Sequence, residues 1–159
     1  MKGNDDLLTV LNSLLADELT AINQYMVHTE MCENWGYNVL QTAIRSQAMD
    51  EMNHAEWLIE RILFLDGIPI VSNLNAIKIG NTVSKMIDND LGLEFTAVIN
   101  YNSAIKLAHE VKDEASVDLL TKILKIEEDH VDWGEKQQAQ INQMGLENYL
   151  NSQIGNSKS

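Results

Sequence analysis

Asp50-Glu51-Met52-Asn53-His54-Ala55 and Glu127-Glu128-Asp129-His130 share one arrangement, a Glu followed three residues on by a His, at an offset of 76 positions. A lone Glu precedes each pair by 33 residues: Glu18 before Glu51 and His54, and Glu94 before Glu127 and His130. The same offset carries Tyr25 onto Tyr101 and Trp57 onto Trp133. Residues three apart on a helix share a face, so each Glu-x-x-His can aim both groups at one point. Four carboxylates and two imidazoles are the ligand set of a carboxylate-bridged pair of iron or manganese ions. They converge when two helices each give a Glu and two others each give Glu-x-x-His.

Working outward, apolar residues keep helical spacing around every member of the set. The first stripe reads Leu7, Leu11, Leu14, Glu18, Ile22, Tyr25, and the second Leu40, Ile44, Gln47, Glu51, His54, Leu58, Ile62, Leu65. The third reads Ile87, Leu91, Glu94, Val98, Tyr101, Ile105, and the fourth Leu120, Leu124, Glu127, His130, Gly134, Ile141. Every ligand candidate therefore falls where the period demands a buried side chain. Four buried carboxylates without counter-ions would cost many kcal/mol or would have to bind protons. Two divalent ions carry the charge that balances them, and oxygen with imidazole donors suits iron or manganese.

The breaks between stripes set the topology. Four long helices are expected: about Asn4 to Asn34, about Asn38 to Leu65, about Val83 to Val111, and from the Lys112-Asp113 turn to about Met144. A short helix over about 146–153 and a polar Gly155-Asn156-Ser157 tail follow. Trp35-Gly36-Tyr37 and Lys112-Asp113 are tight links. The segment from Asp66 to about Thr82, with Gly67, Pro69, Ser72, Asn73, Asn75 and Gly80, is long enough to run the length of a bundle. It makes the second and third helices parallel. The fold class expected is all-α, a ferritin-like four-helix bundle with a long crossover between the second and third helices and a short fifth helix. The 159 residues fit one such domain, with the bundle over about 4–144.

Composition narrows the function classes. A formal charge of −13 argues against nucleic acid and favours a surface that concentrates cations. No apolar run approaches membrane-spanning length. The opening Met1-Lys2-Gly3-Asn4-Asp5-Asp6 lacks a secretory layout, and the single cysteine, Cys32, excludes an internal disulfide or thiolate cluster. A cytoplasmic location is expected. Cys32 and Trp133 read as packing residues, and Tyr25 as a core residue able to bond a ligand carboxylate or carry an electron. His28, expected near the outer face of the first helix, and His109, near the end of the third, read as structural or exposed.

Met52, one residue beyond Glu51, projects about 100° around the helix from it and cannot join the same centre. With Met49, and with Leu19, Asn23 and Met26 on the first helix, it forms an outward strip. Such a strip fits a subunit interface. On a two-fold axis, two thioethers can also hold a haem iron between them.

These stretches, together with Asn23-Gln24-Tyr25, Asn34-Trp35-Gly36, Glu60-Arg61-Ile62-Leu63-Phe64-Leu65 and Met144-Gly145-Leu146, make the chain resemble the bacterioferritins over essentially its whole length. The resemblance implies iron storage and detoxification by a di-iron ferroxidase, which oxidises Fe(II) with O2 or H2O2 and stores ferric mineral inside a 24-subunit cage. Glu18 and His54 would serve one iron, Glu94 and His130 the other, with Glu51 and Glu127 bridging. Met52 would ligate a b-type haem shared by a subunit pair, passing electrons inward from a ferredoxin-type donor when iron is released. The short last helix would cluster around four-fold axes, and Asn34, Asp66 and Asp132 match positions lining a pore that admits iron. Ser46, where some members carry a His, argues against an extra inner iron site near Asp50.

Rival readings are separable. A rubrerythrin-like di-iron peroxidase shares the double motif, but its second domain needs paired cysteines. Starvation-type mini-ferritins place their irons between subunits, and radical-generating reductase subunits are far longer. A non-catalytic haem- or metal-binding assembly, with a static ion such as zinc inside, differs in not consuming oxygen when Fe2+ is added.

Overall fold

Asn4 starts the first helix by accepting the Leu7 backbone N–H on its side-chain oxygen at 3.0 Å, satisfying a donor the helix itself leaves open. In the computed structural model, which describes residues 1–155, five helices follow. They are α1 (Asp5–Trp35), α2 (Asn38–Phe64), α3 (Val83–Glu110), α4 (Glu114–Met144) and α5 (Leu146–Ser152), with no strand among the described residues. Asn156 and Ser157 of the expected polar tail lie outside the described residues.

Each end has a local cause. Gly36 stops α1 in the left-handed region (φ 82°), where a side chain would be strained. The N–H of Tyr37 then reaches back to the Cys32 carbonyl at 2.9 Å, a common helix-ending loop. Thr82 and Asp113 cap α3 and α4 by accepting the N–H groups of Lys85 and Ser116.

Long-range bonds fix the directions. Gly3 N–H donates to the Leu65 carbonyl, so the start of α1 meets the end of α2. Along α1, Asp17 pairs with Asn100 while Gln24 and His28 pair with Asp90, which makes α3 antiparallel to α1. Arg61 contacts Asp113 and Ser116 while Asp50 contacts His130, so α4 is antiparallel to α2. Hence α2 and α3 are parallel, as a crossover spanning the bundle requires.

That crossover lies along α1 as a strap. Its backbone N–H groups donate to α1 side chains in order: Ile70 to Asn12, Asn75 to Thr20, Lys78 to Gln24 and Gly80 to His28. Without a helix or sheet of its own, the strap satisfies its backbone on side chains. His28 is therefore not on an outer face but fully buried, because the strap covers that side of α1.

The core divides in two. One cluster joins Leu7, Leu11, Leu14, Leu58, Ile62, Ala104, Leu120 and Ile123. The other joins Tyr25, Cys32, Leu40, Ile44, Met86, Ile87 and Tyr149. The six ligand candidates lie between these apolar blocks, at mid-height on all four long helices. Tyr149 anchors α5 by donating its hydroxyl to Gln137 Oε1 at 2.7 Å.

Candidate metal centre

Glu18, Glu51, His54, Glu94, Glu127 and His130 are each at most 6% exposed. The bundle brings them into two overlapping groups. Glu18, Glu51, His54 and Glu127 form one, and Glu51, Glu94, Glu127 and His130 the other, with ligand atoms in each group within 4.8 Å of one another. Glu51 and Glu127 belong to both. Glu51 shows how: its Oε2 lies 3.1 Å from His54 Nδ1 and its Oε1 lies 3.1 Å from His130 Nδ1. One carboxylate thus spans the two groups, one oxygen to each.

The polar atoms are close but imperfectly paired. His54 Nδ1 is 2.8 Å from Glu127 Oε1 and 3.5 Å from Glu18 Oε2. Yet Glu18 Oε2, Glu94 Oε2 and Glu127 Oε1 are all buried without a hydrogen-bond partner. Buried native polar groups are almost always satisfied. Three orphaned carboxylate oxygens facing one another beside two imidazoles are what a cation-binding centre presents, and the donor set of oxygen and imidazole fits iron or manganese.

Electrostatics lead to the same point. Burial, then repulsion from Glu18, Glu94 and Glu127, holds Glu51 well above the usual carboxylate range. Burial and Glu127 push Glu94 up to about 8. Burial lowers the histidines, but their carboxylate partners outweigh it and raise His54 and His130 to about 9. Without cations the cluster must gather protons. Two divalent ions would replace those protons and leave both imidazoles neutral.

Neighbouring groups hold three of the six in place. Tyr25 donates its hydroxyl to Glu94 Oε1, and Tyr101 donates to Glu18 Oε1 at 2.5 Å. His130 Nε2 lies 2.9 Å from Asp50 Oδ2, which leaves Nδ1 to face the carboxylates, the usual arrangement of a metal-binding imidazole. Neither the Tyr101 bond nor the Asp50 bond was expected from the sequence. The offset that maps Tyr25 onto Tyr101 held the signal for the first. The second had none, because Asp50 is only one of many acidic residues. A cavity of about 200 Å³ reaches the cluster between α1, α3 and the strap, lined by Asp17, Thr20, Asn75 and Thr96 as well as by four of the carboxylates. Asp17 is held there by Asn75 and Asn100.

The remaining sequence candidates lie elsewhere. Met52 is 46% exposed, with Met49 and Met26 also exposed, so the strip faces away from the cluster; Leu19 is half-buried. Asn34, Asp66 and Asp132 are all exposed. His109 is exposed and paired with Glu114, Cys32 is buried, and Trp133 packs at the edge of the second core cluster. His28 is structural: its Nε2 accepts from Gly80 and its Nδ1 meets Asp90 at 2.8 Å.

A four-helix bundle with a long crossover and a duplicated carboxylate–histidine cluster defines a ferritin-like protein, and the family model for the ferritin-like domain matches residues 8–144. The chain is 40% identical to a bacterioferritin of Mycobacterium leprae, covering 94% of each chain. It is 43% identical to a bacterial ferritin of Synechocystis, covering 97% of this chain and 99% of that one. A bacterial ferritin of Paramagnetospirillum magnetotacticum is 38% identical over 98% of this chain and 96% of its own. The chain belongs to the bacterioferritin family.

Proposed function

We propose that this bacterioferritin stores iron by oxidising it first, at a di-iron ferroxidase centre formed by Glu18, Glu51, His54, Glu94, Glu127 and His130. The observation that carries the reading is the pair of overlapping ligand groups sharing Glu51 and Glu127. Fe2+ is the substrate. Glu18 and His54 would hold one ion, Glu94 and His130 the other, and Glu51 and Glu127 both.

Two ions side by side give up two electrons together, which takes O2 and two protons to H2O2, or H2O2 and two protons to two waters. This avoids a free one-electron oxygen radical. The raised proton affinities of Glu51, Glu94 and the histidines mean that arriving Fe2+ displaces protons, and those protons are available at the site that consumes them. The apolar blocks above and below keep bulk water out, while Asp17 at the lip of the cavity attracts cations. Ferric product would then be stored as mineral inside a cage of 24 subunits in the cytoplasm. Among the described residues no helix is long and apolar enough to cross a membrane.

Haem is a further part of the proposal. Met52 presents an exposed thioether on a strip rich in Met, and a single chain supplies only half of a bis-thioether site. A b-type haem between two Met52 residues of a subunit pair would supply a path for electrons from a ferredoxin-type donor during iron release.

The test is Glu94→Ala followed in stopped flow with Fe2+ and O2. Loss of the rapid oxidation phase is expected, and an unchanged rapid phase would sink the proposed centre.

A further inference from the structure

We propose that Tyr101 is a positioning residue that reserves one oxygen of Glu18 and leaves only the other for iron, forming with Tyr25 a reciprocal pair; this rests on the di-iron reading above. Tyr25 follows Glu18 by seven residues, and Tyr101 follows Glu94 by seven. Seven residues are two helical turns, so each Tyr stands on the same face as its Glu, about 10 Å further along. Because α1 and α3 are antiparallel, the Tyr of each helix arrives beside the Glu of the other. The observed bonds follow that geometry, Tyr101 to Glu18 Oε1 and Tyr25 to Glu94 Oε1.

The consequence lies in the second oxygens. Glu18 Oε2 and Glu94 Oε2, the oxygens the tyrosines do not take, are among the buried atoms without partners. Glu18 Oε2 is also the oxygen 3.5 Å from His54 Nδ1, on the side of the metal group. The Glu94 half is less strict, since Oε1 also lies 3.3 Å from His130 Nδ1. Both tyrosines are fully buried, and each hydroxyl donates to a carboxylate oxygen. A carboxylate with one oxygen committed to a phenol binds metal through the other. Each iron would then keep a coordination position free for the oxidant, the feature that separates reactive from closed metal sites. Bridging Glu51 and Glu127 have no such tyrosine, consistent with both their oxygens serving metals.

Co2+ bound to the assembled protein reports this directly, because its visible ligand-field absorption weakens as coordination number rises. In Tyr101→Phe the freed Glu18 oxygen should also bind, so one of the two Co2+ signals loses intensity while the protein still takes up two Co2+ per chain. Tyr25→Phe should do the same to the other signal, and the double variant to both. A merely structural tyrosine would leave the spectra unchanged. Rapid-phase Fe2+ oxidation in Tyr101→Phe should also fall by about 10–100-fold, the usual loss when a partner of a metal ligand is removed. A Tyr101→Phe protein with two Co2+ and a spectrum superposing on the wild type overturns the inference while leaving the centre standing. A wild-type protein that does not take up two Co2+ per chain overturns the centre, and the inference with it.

Discussion

Glu94→Gln should make the metal-free protein more stable, by an amount set by pH. Glu94 is buried beside Glu127, and its carboxyl is raised to about 8 from 4.5. Between those values the folded chain holds a proton that the unfolded chain has released. Stability from this group therefore falls as pH rises, with the slope set by the difference in bound protons. Gln is uncharged at every pH and accepts the Tyr25 hydroxyl as Glu does. At about 1.4 kcal/mol per unit, the gap between variant and wild type is about 3 kcal/mol at pH 7 and levels off near 5 kcal/mol above pH 8. Glu51 carries part of the same proton load, which makes both figures ceilings. For a chain of this size, 3 kcal/mol corresponds to roughly 6–12 °C in Tm. Scanning calorimetry of chelator-treated protein at pH 5, 7 and 8.5 checks it. With two Zn2+ per chain the order should reverse, because the variant has lost a ligand. A metal-free variant less stable than wild type at pH 8.5, or a gap that does not widen from pH 5 to 8.5, would refute the charge-balance reasoning.

Four further outcomes are expected. His54 and His130, raised to about 9 by their carboxylates, contribute stability that is complete below about pH 6.5 and lost as pH rises through 9; the Tm of metal-free protein should fall across that window. Asp50→Ala, which removes the partner of His130 Nε2, should slow Fe2+ oxidation by about 10–100-fold in stopped flow. His28→Ala leaves buried Asp90 without its histidine and the Gly80 N–H without an acceptor. It should cost about 1–3 kcal/mol for each buried polar group left unsatisfied, with faster hydrogen exchange at Gly80 in particular. Met52→Leu should remove haem absorbance while leaving the rapid oxidation of Fe2+ unchanged.

Helical period and a repeated spacing made the bundle and its six buried polar residues legible in the sequence, because both depend only on which residues recur. The bounds of all five helices came within about two residues, helped by Asn4, Gly36 and Asp113, whose capping chemistry is local. His28 was misplaced for a physical reason. A helix face is inner or outer according to what lies on it, and the irregular strap that covers α1 has no period to announce itself. Tyr101 and Asp50 were missed because their roles depend on neighbouring helices. Tyr101 reaches Glu18 only when α1 and α3 are antiparallel at this register, and Asp50 reaches His130 only across the α2–α4 contact. Met52 differs again: its outward direction was legible from helical phase, and one chain shows only an exposed side chain there, as the proposed haem site between two chains requires.

The most direct test of the di-iron centre is the amount of Fe2+ oxidised in the rapid phase, measured by stopped-flow absorbance as Fe2+ is added stepwise to iron-free protein in air. Two overlapping ligand groups per chain should give a rapid phase that saturates at two Fe2+ per chain. Saturation at one Fe2+, or oxidation that grows with added Fe2+ without any break, would contradict a paired centre.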